Sequence, residues 1–100
     1  MMLAFLLAAQ AAQPQGYTPD EQRAIQTVAE CEKRYVDSVP ERERRHRGKA
    51  LIEDTFAACA SEEAALRAAF RARFDAESAE RLVQMVRGVA REGMRQYLAR

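Results

Sequence analysis

Two cysteines, one histidine and sixteen lysines and arginines carry most of the chemistry this sequence can offer. Cys31 and Cys59 are too far apart for a Cys-x-x-Cys redox or metal motif. In an oxidising compartment such a pair most simply forms one disulfide; in a reducing one it is two buried thiols. His46 is the only histidine and stands among arginines. It has no second metal ligand and no serine or cysteine to activate, so neither a zinc site nor a nucleophile–base pair is expected. Glu53 and Asp54 are adjacent, so on a helix they project in different directions and cannot form a paired-carboxylate site. No nucleophile elbow, phosphate loop or zinc motif is present. The expectation is a protein that is not an enzyme and uses no cofactor or metal.

The arginines fall into two groups that are candidate anion-binding sites. The first is Arg42, Arg44, Arg45, Arg47 and Lys49, interrupted by Glu41 and Glu43. It reads either as a basic tip for lipid head groups or an acidic protein, or as a solvated loop that pairs with itself. The second is Arg87, Arg91 and Arg95, one helical turn apart, with Arg100 at the end. Cations there complement the negative end of a helix dipole; the alternative is a helix lying on an anionic membrane surface. Nucleic acid is not an expected partner. The formal net charge is only +1, and no aromatic residues are interleaved with the basic ones for base stacking.

The elements that must position these residues are helical. One hundred residues allow one domain, and four Gly and three Pro are too few for a strand-and-turn protein of that size. No useful period-2 run exists, so the fold class is all-α: a small three-helix antiparallel arrangement. Thr18-Pro19-Asp20-Glu21 is a capping box with Pro at the first helical position. Ala24, Ile25, Val28, Cys31 and Tyr35 then follow at helical spacing until Val39-Pro40, giving helix 1 over about 19–37. The second stripe is Leu51/Ile52, Phe56, Cys59, Leu66, Phe70 and Phe74; Glu63 falls on it and must lie at its edge or be paired. Asp75 is the expected cap of helix 3, whose stripe is Ala79, Leu82, Val86, Val89/Ala90, Gly93 and Tyr97. A single long bent helix through Ser78 is the alternative. Gly88 and Gly93 weaken helix 3 and point to close packing, against another element or a second subunit.

A bond between Cys31 and Cys59 would constrain the register. Its Cα atoms must lie within about 7 Å, so in an antiparallel hairpin both residues stand equally far from the turn. Their midpoint is Arg45, which puts the start of helix 2 near Arg47–Lys49, with Gly48 at the boundary and a separate helical turn over 41–46. From there one helix is expected to run through Ser61 to about Phe74.

Residues 1–11 read as a secretory signal peptide. Met1–Ala9 is an apolar run too short to span a bilayer, and Ala9-Gln10-Ala11 has the small-x-small pattern of a cleavage site. No Lys or Arg precedes the run, which departs from the usual signal pattern. Residues 12–17 are a spacer, and 18–100 form the helical domain. The expected localisation is periplasmic or secreted.

Several stretches resemble a group of small, exported, Ala/Arg-rich helical proteins of Gram-negative, especially alphaproteobacterial, bacteria with a single cysteine pair. They are Ala29-Glu30-Cys31, Phe56-Ala57-Ala58-Cys59, Glu62-Glu63-Ala64-Ala65-Leu66-Arg67 and the amphipathic run from Leu82-Val83 to Leu98, all within residues 24–99. The resemblance implies an exported helical protein and carries over no catalytic residue. In mature length and in having one cysteine pair the chain is also similar to small helical acid-stress chaperones of the periplasm. The expected function is a non-catalytic helical interaction protein, its partner an envelope protein. The alternative is a membrane-surface or chaperone-like binder of anionic partners through the basic helix faces.

Overall fold

The computed structural model describes residues 16–99, which contain helices and no strands. The proposed signal peptide, its cleavage site and Arg100 lie outside the described residues. Among the described residues five helices stand where the sequence pattern suggests three: α1 (Pro19–Ser38), α2 (Glu41–Arg47), α3 (Lys49–Ala58), α4 (Ala60–Arg71) and α5 (Ala76–Leu98).

Helix α1 begins as the capping box requires. Thr18 Oγ1 accepts from the Glu21 amide at 3.1 Å, and the Thr18 amide donates back to Glu21 Oε1 at 3.1 Å. It ends at Val39, which is extended (φ −89°, ψ 128°) because Pro40 crowds the helical conformation of the residue before it. The short helix expected between Pro40 and Gly48 is α2. Gly48 then breaks the chain at φ +47°, a conformation that favours glycine, and α3 starts at Lys49.

One boundary differs from expectation and one is as expected. The stretch through Ser61 is not one helix: Cys59 (φ −104°, ψ 23°) separates α3 from α4. The hydrogen-bond ladder still passes through this bend, from the Cys59 amide to Thr55 O at 3.0 Å and from the Glu63 amide to Cys59 O at 3.1 Å. The break before the last helix is where the sequence places it, and no single bent helix crosses Ser78. The chain leaves α4 in a turn, and Asp75, extended at ψ 171°, caps α5 by accepting from the Ser78 amide at 2.7 Å.

The apolar side chains gather into two clusters. Tyr17, Ile25, Val28, Leu66, Phe70, Ala79 and Val83 form one; Val36, Ile52, Phe56, Ala90 and Met94 form the other. The early turns of α1 therefore meet late α4, while its last turns meet α3, so α1 runs against the α3–α4 pass. Early α5 packs on late α4, which reverses the chain again.

The buried faces of α1 and α5 are rotated slightly from the expected stripes. On α1 the buried residues are Glu21, Ile25, Val28, Ala29, Glu32 and Val36; Cys31 and Tyr35 are only half-buried. On α5 they are Ala79, Val83, Ala90 and Met94, with Leu82 and Val86 packed at the cluster margin.

Gly88 does not mark a close approach within the chain. It is exposed, and a Cβ there would meet nothing within 4 Å. Gly88→Ala should therefore raise the free energy of unfolding by about 1 kcal/mol, because it relieves the entropic cost of glycine inside a helix. Urea denaturation checks this; a loss of stability would mean that the position does contact something.

Candidate functional site

Between the two apolar clusters lies a polar layer. On α1 it falls at Cys31 and Glu32, between Val28 and Val36; on α3–α4 it falls at Cys59 and Glu63; on α5 it falls at Arg87, between Val83 and Ala90. Cys31 and Cys59 are joined as a disulfide, with Cα atoms 6.0 Å apart. The bond ties α1 to the α3–α4 bend. A Glu62 carboxylate oxygen lies within 4.8 Å of both sulfurs, but sulfurs bonded to each other offer no thiolate to a metal.

Beside the disulfide, the Arg87 guanidinium grips Glu63 with two hydrogen bonds, Nε–Oε2 at 3.0 Å and Nη2–Oε1 at 2.7 Å. Glu63 is thus the paired carboxylate that its place on an apolar stripe demands. Arg67 joins the same layer, 3.6 Å from Glu63 and 2.6 Å from Glu80 on α5. The Arg67 hydrogen bond is the main reason that the Glu80 pKa is lowered.

Glu32 is 2% exposed. Burial, followed by the neighbouring Glu63 carboxylate, pushes its pKa up to about 8, and Arg87 offsets only part of this. Its carboxyl is therefore mostly protonated at neutral pH. Sequence reasoning missed this residue, although Glu32 stands four residues after Val28 and four before Val36. That spacing was the available signal.

A second buried glutamate, Glu21, is held at the far end of the bundle. Arg73 donates to it from Nε at 2.7 Å and from Nη2 at 2.8 Å, and Arg73 Nη2 also reaches the Gly16 carbonyl at 2.9 Å. The Arg73 hydrogen bond is the largest influence lowering the Glu21 pKa, outweighing its burial.

The candidate anion-binding residues divide between structural and surface positions. Arg44 is committed to packing: its Nε donates to the Val39 carbonyl and its Nη1 to Tyr97 Oη on α5, each at 2.8 Å. Arg45 stands 3.9 Å from Glu41, and Arg47 pairs with Asp54. Arg42 is exposed on α2, as is His46. Arg87 belongs to the polar layer. Arg91 pairs with Glu53 and lies over the Phe56 ring at 5.0 Å, and Arg95 meets Glu92 at 2.8 Å. Glu53 and Asp54 thus diverge, one toward α5 and the other toward α2.

One surface brings members of both basic groups together. A groove of about 600 Å³ is lined by Gly48, Lys49, Ile52, Arg91, Arg95 and Leu98, among others. It lies where the α2–α3 junction meets the last turns of α5. Lys49 comes from the first basic group, Arg91 and Arg95 from the second; Arg42, Arg44, Arg45, Arg47 and Arg87 do not line it. Ile52 at its floor belongs to the buried core, and Leu98 packs against that core, so neither residue signals a site in the sequence. Among the described residues no helix is long and apolar enough to cross a membrane.

Comparison with protein-family models, with curated proteins and with solved structures finds no match to this chain.

Proposed function

We propose that this chain is a non-catalytic, exported helical interaction protein that works in the periplasm or after secretion, and that its partner is a protein of the envelope. The observation that supports this reading is the Cys31–Cys59 disulfide. Such a bond persists in an oxidising compartment and is rare in a reducing cytosol. The signal-like residues 1–11 and the resemblance to small exported helical proteins point the same way. Catalysis has no part in this reading: the cysteines are joined in the disulfide, and His46 stands exposed on α2 among arginines. Nucleic acid is left out of the expected partners for want of basic excess and stacking residues.

Intact mass of the protein recovered from the periplasm or medium should correspond to a chain starting at or near Ala12 and two hydrogens lighter than its reduced form. A full-length product confined to the cytosol, or cysteines open to alkylation after export, would defeat the reading. A pull-down from the envelope fraction with the mature protein should then retain a specific protein.

A second reading, a binder of anionic partners at a membrane surface or in chaperone fashion, is favoured by the convergence of Lys49, Arg91 and Arg95 on one groove. Arg87 drops out of it, because it does not line the groove and its guanidinium lies inside the polar layer against Glu63.

A further inference from the structure

The groove between the α2–α3 junction and the end of α5 combines two features that call for different parts of one ligand. Lys49, Arg91 and Arg95 bring three positive charges to its lining against two carboxylates, Glu92 beside Arg95 and Glu53 behind Arg91. Half-buried Leu98 and the aliphatic stems of the basic residues supply apolar surface between them, over the buried Ile52. We propose that this groove binds a single-chain amphiphile with an anionic head group, the head held by Lys49, Arg91 and Arg95 and the hydrocarbon tail laid over Leu98 and the aliphatic stems of the lining cations. The proposal rests on the second reading above and gives it a ligand class.

Charge complementarity selects an anion. Arg95 and Glu92 are both more than half exposed where they meet, so their attraction is weak in water and an incoming anion competes with it on even terms. Arg91 is positioned more firmly, pinned to Glu53 and stacked on Phe56, and its charge stands at the groove wall without needing to be ordered on binding. The amino end of α3 opens onto the same rim at Gly48 and Lys49, with no side chain capping it.

The shape and the apolar lining select a tail. A volume of about 600 Å³ is within the range of small-molecule sites. A small inorganic anion would leave Leu98 and the lining stems against water and gain nothing from them. A bilayer surface is flat on this scale and would touch the rim without entering the groove. A separate single-chain molecule satisfies both halves of the lining.

The test uses the mature, disulfide-bonded protein and dodecanoate below its micelle concentration, followed by isothermal calorimetry. Expected is saturable binding of one molecule per chain that weakens as salt is raised, since the cations lie outside the core. The double variant Lys49→Gln/Arg95→Gln should weaken it about tenfold through loss of two charge-assisted contacts. Leu98→Gln should weaken it independently of salt. Dodecyltrimethylammonium, with the same tail and the opposite charge, and inorganic phosphate, with charge and no tail, should each fail to bind. Absence of saturable dodecanoate binding overturns the proposal, as does binding that the variants leave unchanged or that the cationic amphiphile matches. Phosphatidylglycerol vesicles separate the two levels. If vesicles bind and dodecanoate does not, the groove ligand is wrong while the broader anionic-surface reading stands; if neither binds, both fall.

Discussion

Replacing Cys31 and Cys59 together by Ala should lower the free energy of unfolding by about 3.6 kcal/mol, the value that the chain-entropy model assigns to a loop of this length. The bond joins residues 28 apart in sequence and ties α1 to the bend between α3 and α4. Without it the unfolded chain regains the freedom of that loop, while the two apolar clusters keep their contacts. Ala is the appropriate replacement because Cys59 is 1% exposed, and Ser would bury a hydroxyl there. A loss of this size is a large share of the stability of a small domain. Denaturant titration of the double variant, or of the parent with and without reductant, measures it. A double variant as stable as the parent would show that packing alone holds α1 against the α3–α4 pass.

The second large effect is a dependence on pH set by Glu32. The folded protein holds the Glu32 proton with a pKa of about 8, whereas an unfolded chain holds it with an ordinary carboxylate value. A group whose pKa is raised by folding contributes stability that is complete below its unfolded value. That contribution is lost progressively as pH rises toward and through the folded value. Between about pH 4.5 and pH 8 the loss should approach about 5 kcal/mol, at 1.36 kcal/mol for each unit of displacement.

The charges that act on Glu32 are Glu63 on α4 and Arg87 on α5. Glu63 repels the ionised form, and Arg87, already bound to Glu63, compensates only in part. Glu32→Gln keeps the shape of the neutral carboxyl and removes the titration. The variant should match the parent near pH 4 and exceed it by several kcal/mol at pH 9. Urea midpoints recorded across that range decide the matter; an equal decline in both proteins would assign the alkaline loss to another group. On the acid side the sign reverses. The Glu21 pKa is lowered by its hydrogen bonds to Arg73, so its contribution is present above the ordinary carboxylate range and lost as pH falls through the lowered value.

Local sequence determined a good deal of this protein. Thr18, Pro19 and Glu21 specify where α1 begins, Val39-Pro40 where it ends and Asp75 where α5 is capped. Each acts within three or four residues, through a hydrogen bond or a steric clash that the chain makes with itself. The all-α class and the break at Gly48 follow from the same short-range rules. The spacing of Cys31 and Cys59 about Arg45 also anticipated the start of α3, because a bond of fixed length converts a helix register into a distance.

Tertiary structure decided what depends on residues distant in sequence. The rotation of α1 that buries Glu32 and Val36 in place of Cys31 and Tyr35 follows from packing against α3, α4 and α5 together. Ala24 and Ile25, or Tyr35 and Val36, are equally good apolar neighbours until a partner surface chooses between them. The bend at Cys59 accompanies a tether to a residue 28 positions away, and no local breaker marks it. Arg87, Arg91 and Arg95 look equivalent at four-residue spacing. They part company because Glu63 of α4 stands opposite the first, Glu53 of α3 opposite the second, and only Glu92 of their own helix beside the third. The groove exists only because the α2–α3 junction is folded back against the end of α5, which places Lys49 beside cations more than forty residues further along the chain.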